Sequence, residues 1–215
     1  MRESLFNQTD RSLLFKMART YWLVRYFNRT CLANQSKRNK LLKKIFGYID
    51  ILSHYVQSPL YVDYGFNTTI GKNFLSNYNL VIQGEGEVHI GDNVMIGPNV
   101  TITTNLHPLV ASERNVCCVP NRFPSGHKGN YVYAQPITIG DNVRICTNVT
   151  ICPGATIGND TVIGAGSVVT KDIPSGVLAY GVPCKVIRPI TEVDKGVGYG
   201  KHKWRRAHFP RSRKK

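Results

Sequence analysis

A six-residue repeat of aliphatic side chains dominates the sequence between Ile137 and Ile173. Residues two positions before each repeat position are mostly β-branched or small, and a glycine follows three of the six repeat positions. A period of six fits neither an amphipathic helix nor a half-buried strand, whereas it is typical of a hexapeptide β-solenoid. The repeat positions fall six residues apart without interruption: Ile139, Ile145, Ile151, Ile157, Ile163 and Val169.

The spacing predicts how the coils of such a solenoid stack. Three short strands and three turns make one triangular coil of about eighteen residues, so residues eighteen apart should lie above one another. Ile139 should therefore stack on Ile157, Ile145 on Ile163 and Ile151 on Val169. Parallel strands stacked in this way lie roughly 4.8 Å apart. Because each coil buries its aliphatic row only against its neighbours, we expect one continuous apolar core.

The same period runs less regularly upstream and is interrupted twice. Two extra residues within 83–87 delay the repeat, which then stops at His107-Pro108 and returns at Ile137. Residues 114–133 are rich in Asn, Gly, Pro and Cys, which predicts a projecting loop. Long loops in compact domains are often functional. The upstream repeat positions are Ile70, Ser76, Ile82, Ile90, Ile96 and Ile102.

Residues 1–56 show helical rather than six-residue periodicity. Apolar residues spaced mostly three and four apart predict one amphipathic helix from about Leu13 to Phe27, and a second helical stretch covers roughly 37–56. A basic amphipathic helix can lie on a membrane surface, but such a face more often packs on its own domain. We therefore expect an N-terminal helical segment (1–58), a β-helix domain (59–190) with a projecting loop (109–134), and a basic tail (191–215).

The charge balance is strongly basic. The 215 residues carry a net charge of +15, and residues 201–215 hold eight Lys or Arg and no acidic residue. A second basic cluster runs from Lys37 to Lys44. Such charge suggests nucleic acid, an anionic membrane or another polyanion as a partner, although a solvated tail and a charged helix face explain it more simply. We expect no nucleic-acid partner and keep peripheral membrane contact through the basic segments as an alternative.

Other sequence features favour a cytoplasmic protein without a metal. No apolar run approaches the roughly 20 residues of a membrane span, and the N-terminus lacks the order of regions that a signal peptide requires. The six cysteines form no CxxC pair, which argues against a zinc site.

One histidine stands out as candidate chemistry. His107 falls where the repeat stops, beside the predicted loop, whereas the other five histidines lie in helical, outward-facing, loop or tail positions. A histidine held at a fixed break in a rigid scaffold is a candidate general base. A lone histidine is also frequently structural.

Several motifs together resemble one family. The chain is similar to the hexapeptide-repeat acyltransferases, and within them to the maltose and galactoside O-acetyltransferases, from about Leu5 to Ile190. The N-terminal Leu-Phe-x-x-x-Asp, the His-Pro pair and the Thr-Lys-Asp-x-Pro close make this resemblance specific. The segments that carry it are 5–10, 25–28, 63–67, 71–77, 90–93, 107–108, 163–174 and 181–187.

The resemblance implies a mainly β fold, a left-handed parallel β-helix, assembled as a homotrimer with active sites between subunits. It also implies transfer of an acetyl group from acetyl-CoA to a sugar or glycan hydroxyl, without a metal. His107 would be the general base and Asn77 a catalytic neighbour that also contacts the acceptor. By the same resemblance Asp10, Asp63 and Glu85 would bind the acceptor. The residues that would bind the CoA moiety are Thr147, Ala165, Thr170, Lys171 and Arg188.

Three departures from the family pattern keep alternatives open. Arg144 stands where these enzymes commonly carry a tryptophan, Glu85 replaces an aspartate, and the 109–134 loop is longer. An antibiotic or another small hydroxylated molecule is an alternative acceptor. A non-catalytic β-helix scaffold is an alternative of another class.

Overall fold

The computed structural model describes residues 4–7, 11–115 and 131–195. Three α-helices lie in these ranges: α1 (Arg11–Arg29), α2 (Gln35–Ile45) and α3 (Ala111–Arg114). In the same ranges, two 3-10 helices cover Gly65–Asn67 and Glu192–Asp194. The remaining regular structure consists of short strands, so the fold is mainly β.

Most strands build three faces of a triangular prism, which the chain visits in the order first, second, third. The first face contains β2 (Tyr48–Ile49), β5 (Thr68–Ile70), β8 (Val88–Ile90), β13 (Ile137–Ile139) and β16 (Thr156–Ile157). The second face contains β3 (His54–Val56), β6 (Phe74–Ser76), β9 (Met95–Ile96), β14 (Arg144–Ile145), β17 (Val162–Ile163), β19 (Val177–Tyr180) and β20 (Lys185–Pro189). The third face contains β4 (Leu60–Val62), β7 (Leu80–Gln83), β10 (Thr101–Thr103), β15 (Thr150–Ile151) and β18 (Val168–Val169).

The strand register follows the sequence repeat. Ile139 pairs with Ile157, Ile145 with Ile163, and Ile151 with Val169, all in parallel. These pairings confirm the predicted eighteen-residue coil and the fold class, a parallel β-helix of hexapeptide repeats.

The two interruptions of the repeat leave the stack intact. Ile70 pairs with Ile90, which matches the two extra residues within 83–87. Ile102 pairs with Ile151 across the whole excursion that contains His107. The aliphatic row is fully buried along the axis, since Ile102, Ile151 and Val169 each have 0% exposure.

Helices α1 and α2 close the end of the prism formed by β2, β3 and β4. Phe27 and Leu42 join the same apolar cluster as Leu60 of β4. The side chain of Asn34 accepts a hydrogen bond from the Lys37 backbone N–H at 3.1 Å and caps the start of α2. Val24 and Phe27 of the predicted apolar stripe of α1 therefore pack on the protein's own domain, as expected, whereas Leu14 and Tyr21 of the same stripe are exposed.

The N-terminal segment is less helical than the sequence suggested. The second helical stretch was expected to reach Val56, but α2 ends at Ile45, and 48–49 and 54–56 are strands of the first coil. Ser4–Asn7 forms β1 instead of a helical turn. The reason is tertiary: the edge of the next coil offers unpaired backbone groups, and Gln57 N–H, for example, donates to the Ser76 carbonyl at 3.0 Å.

The segment between β10 and β13 leaves the prism, and its first and last strands form an arm together with β1. β11 (Asn105–Leu106) and β12 (Tyr131–Ala134) pair antiparallel, and β1 (Ser4–Asn7) pairs with the other edge of β12. Residues 116–130 of the predicted loop and 196–215 of the predicted tail lie outside the described residues. In the part of the chain that is described, no helix is both long and apolar enough to span a bilayer.

Candidate functional site at two corners of the prism

His107 lies where the arm leaves the corner between the third and first faces, which we call the III–I corner. It directly follows β11, and its side chain is exposed. The corner beneath it is closed, because Gln135 N–H donates to the Thr104 carbonyl at 2.9 Å. Gly86 N–H also donates to the buried Thr104 hydroxyl at 3.0 Å. The exposed imidazole of His107 is therefore attached to a corner that backbone hydrogen bonds hold in place.

An acidic cluster occupies the same corner one and two coils below. Asp63 follows β4, and its backbone N–H donates to the Ile82 carbonyl at 3.1 Å. Glu85 follows β7 and is only 4% exposed. Burial raises the pKa of the Asp63 carboxyl, although a hydrogen bond from the Gly84 backbone opposes part of that shift. Burial, the neighbouring carboxylates Glu85 and Asp63, and a hydrogen bond with Glu85 raise the pKa of Tyr64 to about 12.

A cleft of about 350 Å³ opens between α1 and β4 beside this cluster. Asn28 fixes the two elements to each other, because its side-chain amide donates to the Leu60 carbonyl at 2.8 Å and accepts from the Leu60 N–H at 2.9 Å. Aromatic walls with a few convergent polar groups suit a small hydroxylated ligand. The cleft is lined by Tyr21, Val24, Arg25, Asn28, Arg29, Tyr61, Val62 and Asp63.

Three other predicted residues lie along a different edge, the corner between the second and third faces (the II–III corner). Asn77 follows β6, and its backbone N–H donates to the Ile96 carbonyl at 2.9 Å. Its side-chain oxygen accepts the Tyr78 backbone N–H at 2.9 Å. Thr147 and Ala165 follow β14 and β17 on the same corner, and Gly166 N–H donates to the Thr147 carbonyl at 2.9 Å. Since coils are about 4.8 Å apart, Ala165 lies roughly 15 Å above Asn77 along the axis.

The remaining predicted cofactor residues lie elsewhere. Thr170 and Lys171 follow β18 and are exposed on the III–I corner, about 10 Å above the coil of His107. Arg188 lies on β20 and forms a two-point ion pair with Asp194, with both N···O distances 2.8 Å. That hydrogen-bonded pair raises the pKa of Arg188.

The structure therefore sorts the predicted residues into two groups. His107, Asp63, Glu85, Thr170 and Lys171 share the III–I corner, whereas Asn77, Thr147 and Ala165 share the II–III corner. One face of about six residues separates the corners, a width of roughly 15–20 Å. One chain thus does not bring Asn77 beside His107. Asp10 lies outside the described residues.

Sequence reasoning missed part of the site. Tyr64 follows Asp63 within a motif that the resemblance used, so its position was available, but its contact with Glu85 was not. Tyr61 and Arg25 line the cleft, and only the packing of α1 against β4 reveals this. Arg144 is exposed on the outer side of the second face. Within 11–115 and 131–195, no three His, Cys, Asp or Glu side chains form a group suited to a metal ion.

Comparisons with known proteins agree with this architecture. Residues 136–171 match the family described as "Bacterial transferase hexapeptide (six repeats)", and residues 87–106 match "Hexapeptide repeat of succinyl-transferase". The galactoside O-acetyltransferase of Escherichia coli (strain K12) is 42% identical over 191 residues, which cover 89% of this chain and 87% of that protein.

Two solved structures are also similar over nearly the whole chain. A galactoside acetyltransferase in complex with coenzyme A has a TM-score of 0.79 and 40% identity, covering 92% of both chains. A maltose O-acetyltransferase from Clostridium difficile 630 has the same TM-score and identity, covering 88% of this chain and 94% of that chain. With this identity and coverage, and with the coils, the arm and the corner residues in the places described, the chain belongs to the hexapeptide-repeat acetyltransferases related to the galactoside and maltose O-acetyltransferases.

Proposed function

We propose that this protein transfers the acetyl group of acetyl-CoA to a hydroxyl group of a sugar or glycan. The observation that carries the proposal is the placement of His107 on the same corner as the acidic cluster and the cleft beside α1. The relatives support the reaction class, since they include galactoside and maltose O-acetyltransferases and a coenzyme A complex.

His107 acts as the general base in this proposal. A neutral imidazole accepts the proton of the acceptor hydroxyl while that oxygen attacks the thioester carbonyl. The new C–O ester bond forms, the C–S bond breaks, and the imidazolium returns its proton to the departing thiolate. The exposure of His107 in one chain leaves the imidazole accessible to both substrates.

The acceptor is held by the acidic cluster. Sugar hydroxyls need paired donors and acceptors once they leave water, and Asp63, Glu85 and the neutral phenol of Tyr64 supply both. The longer Glu85 side chain places its carboxylate one methylene further from the backbone than an aspartate does. Tyr21 and Tyr61 add aromatic walls to the cleft. Asp10 completes the proposed acceptor set.

The CoA moiety runs along the prism axis between the II–III corner of one subunit and the III–I corner of another. Thr147 and Ala165 line one side, and Thr170 and Lys171 the other. Lys171 has no ion-pair partner among the described residues and is available to a phosphate group. Arg188 is already paired with Asp194. A phosphate contact would therefore require at least one hydrogen bond between the Arg188 guanidinium and the Asp194 carboxylate to break.

A homotrimer completes the site. Asn77 and His107 lie on different corners of one chain, so they can meet only when the II–III corner of one subunit faces the III–I corner of another. A ring of three such contacts closes and creates three equal sites. The third face between these corners carries a flat strip of small, half-buried side chains suited to such packing: Val81, Thr101, Thr150 and Val168.

Mixing two inactive variants tests the shared site. We expect co-expressed Asn77→Ala and His107→Ala chains to form mixed trimers in which some sites hold both wild-type residues. Acetyl transfer should then reappear, although each variant alone is inactive. If the mixed preparation contains mixed trimers but stays inactive, the site does not draw these residues from two subunits.

An acceptor screen tests the reaction itself. Purified protein, acetyl-CoA and a thiol reagent are combined with monosaccharides, oligosaccharides, glycosides and hydroxylated antibiotics. We expect thiol release with at least one sugar acceptor and an acetyl ester in the product by mass spectrometry. Release only with an antibiotic would assign the alternative acceptor class, and no release with any acceptor would favour the scaffold alternative.

A cytoplasmic location belongs to the proposal. Among the described residues Cys31, Cys146, Cys152 and Cys184 are free thiols, as expected for a reducing compartment. Burial raises the pKa of Cys152 and Cys184, which makes both thiols less reactive.

A further inference from the structure

Helix α1 presents an aromatic and basic face to solvent. Its opposite side packs on the prism through Thr20, Val24 and Phe27. On the outer side, Phe15 is 73% exposed, Trp22 55% and Tyr26 58%. Large apolar side chains exposed side by side on one helix commonly mark a contact surface. At 100° per residue the outer face contains Arg11, Leu14, Phe15, Ala18, Arg19, Trp22, Arg25, Tyr26 and Arg29.

The charge of helices α1 and α2 has one sign. Residues 11–49 contain ten Lys or Arg and no Asp or Glu. Four arginines alternate with the aromatic residues on the outer face of α1, and exposed Lys37, Lys40, Lys43 and Lys44 extend the positive surface along α2. In the described residues no outer-face arginine of α1 has a carboxylate within ion-pair distance.

We propose that this face of α1 docks the protein onto an anionic lipid surface. Aromatic side chains favour the headgroup region of a bilayer, and arginine side chains attract anionic lipids from the same depth. The guanidinium of Arg25 lies over the Trp22 ring, 5.7 Å from its centroid, so one side of the indole is already held by a cation. In this proposal helix α1 lies parallel to the membrane in the headgroup region and does not span the bilayer.

Charge argues against the other partners for this face. A second copy of the same face would bring eight arginines together without a counter-charge. A nucleic acid would satisfy the arginines, but Leu14 and Ala18 offer it neither a stacking ring nor a hydrogen bond. The apolar part of the face is therefore explained better by lipid.

The position of α1 is compatible with catalysis at a surface. The helix closes the end of the prism below β4, and Arg25 and Arg29 lie where its outer face meets the cleft beside Asp63. Docking would therefore place this cleft next to the lipid surface, with His107 two coils further along the prism axis. In a cyclic trimer the three α1 helices would lie at the same end of the assembly, so they could bind one lipid surface together.

Tryptophan fluorescence tests the proposal on the full chain. The protein has two tryptophans, Trp22 and Trp204, so the Trp204→Phe variant reports on α1 alone. We expect the Trp22 emission to shift to the blue when vesicles of phosphatidylglycerol and phosphatidylcholine are added. Vesicles of pure phosphatidylcholine should give a much smaller shift.

A second pair of variants separates α1 from the remaining basic charge. Phe15→Ser combined with Arg19→Gln should weaken co-sedimentation with the anionic vesicles at least about tenfold, because one inserted ring and one cation are lost. The matched control, Val193→Ser with Lys195→Gln, removes an exposed apolar side chain and a cation beyond β20 and should bind normally.

Each result decides the proposal. Equal vesicle binding by the Phe15/Arg19 variant, or the absence of a Trp22 shift, would overturn it. A Trp22 shift with a single-stranded RNA oligomer but not with vesicles would also overturn it and assign a nucleic-acid surface. Thiol release with a soluble acceptor should be the same in wild type and in the Phe15/Arg19 variant, so a failure of docking is distinguishable from a failure of the proposed acetyl transfer.

Discussion

Asn93 and Asn142 lie 49 positions apart in the sequence, yet the side-chain amide of Asn93 donates a hydrogen bond of 2.8 Å to the side-chain oxygen of Asn142. The same contact links Asn73 to Asn93 at 2.7 Å and Asn142 to Asp160 at 2.9 Å. All four backbones are left-handed, with φ between 55° and 58°. The corner between the first and second faces is thus a continuous polar ladder, and the arm with His107 leaves the prism without breaking it.

This ladder predicts a specific order of stability at Asn93. Asn93→Gly removes two side-chain hydrogen bonds but tolerates the positive φ, whereas Asn93→Ala removes the same bonds and adds backbone strain. We expect Asn93→Ala to lose roughly 1–3 kcal/mol of unfolding free energy and Asn93→Gly clearly less. Thermal unfolding of the two variants measures the difference. A glycine variant less stable than the alanine variant would show that strain is not the main term.

Substitution of Arg38, at the end of the prism that α1 and α2 close, should strongly lower the free energy of unfolding. Its guanidinium is buried, donates to the carbonyls of Val56 at 2.6 Å and Thr30 at 3.0 Å, and lies 3.9 Å from the centroid of the Phe27 ring. Burial lowers its pKa. Arg38→Met should destabilise the fold by roughly 2–4 kcal/mol, because several buried carbonyls lose their donor. Lys40→Met, on the exposed side of α2, is the control, and a comparable loss there would contradict this reasoning.

Asp63 predicts a pH dependence with a defined sign. Burial raises its pKa in the folded state above the value in the unfolded chain. Folding therefore favours the protonated form, so the stabilisation is complete below the unfolded pKa of about 3.9 and is lost as the pH rises through the folded pKa. Asp63→Asn should raise the unfolding midpoint at pH 8 relative to wild type and lose this advantage toward pH 4. An advantage that grows on acidification would contradict the burial of this carboxylate.

Deletion of the basic tail should not change the rate of acetyl transfer. No described site residue lies beyond Arg188, so deletion of residues 196–215 should leave thiol release with small acceptors within about twofold of wild type. Steady-state rates of the full chain and the shortened chain at equal acetyl-CoA concentration provide the measurement. A loss of more than about tenfold would place the tail in the site.

The regular part of the fold follows directly from the sequence. Because a hexapeptide coil buries only one aliphatic row, the positions of Ile139, Ile151 and Val169 predict both the strands and their register. The two extra residues within 83–87 explain the twenty-residue coil between Ile70 and Ile90. The strands at 48–49 and 54–56 could not be predicted in the same way, since they form only because the next coil offers them an edge.

The candidate site was predictable as a set of residues but not as an arrangement. The break in the repeat singles out His107, and the resemblance supplies Asn77, Glu85 and Lys171. That these residues divide between two corners depends on how far each lies from the nearest strand, which the register reveals. The cleft beside Asp63 depends on the packing of α1 against β4, and a helical pattern alone does not fix that contact.

The general-base role of His107 is the central claim, and thiol release by His107→Ala tests it most directly. With an acceptor that supports turnover by wild type, we expect a decrease in kcat of roughly 10²–10⁴-fold, with acetyl-CoA binding and oligomeric state unchanged. His89→Ala is the matched control, because His89 is exposed on the first face and contacts Thr69 and Glu87 only through its ring nitrogens at 3.0 and 3.3 Å. A His107→Ala protein that releases thiol at a near-normal rate would contradict the account.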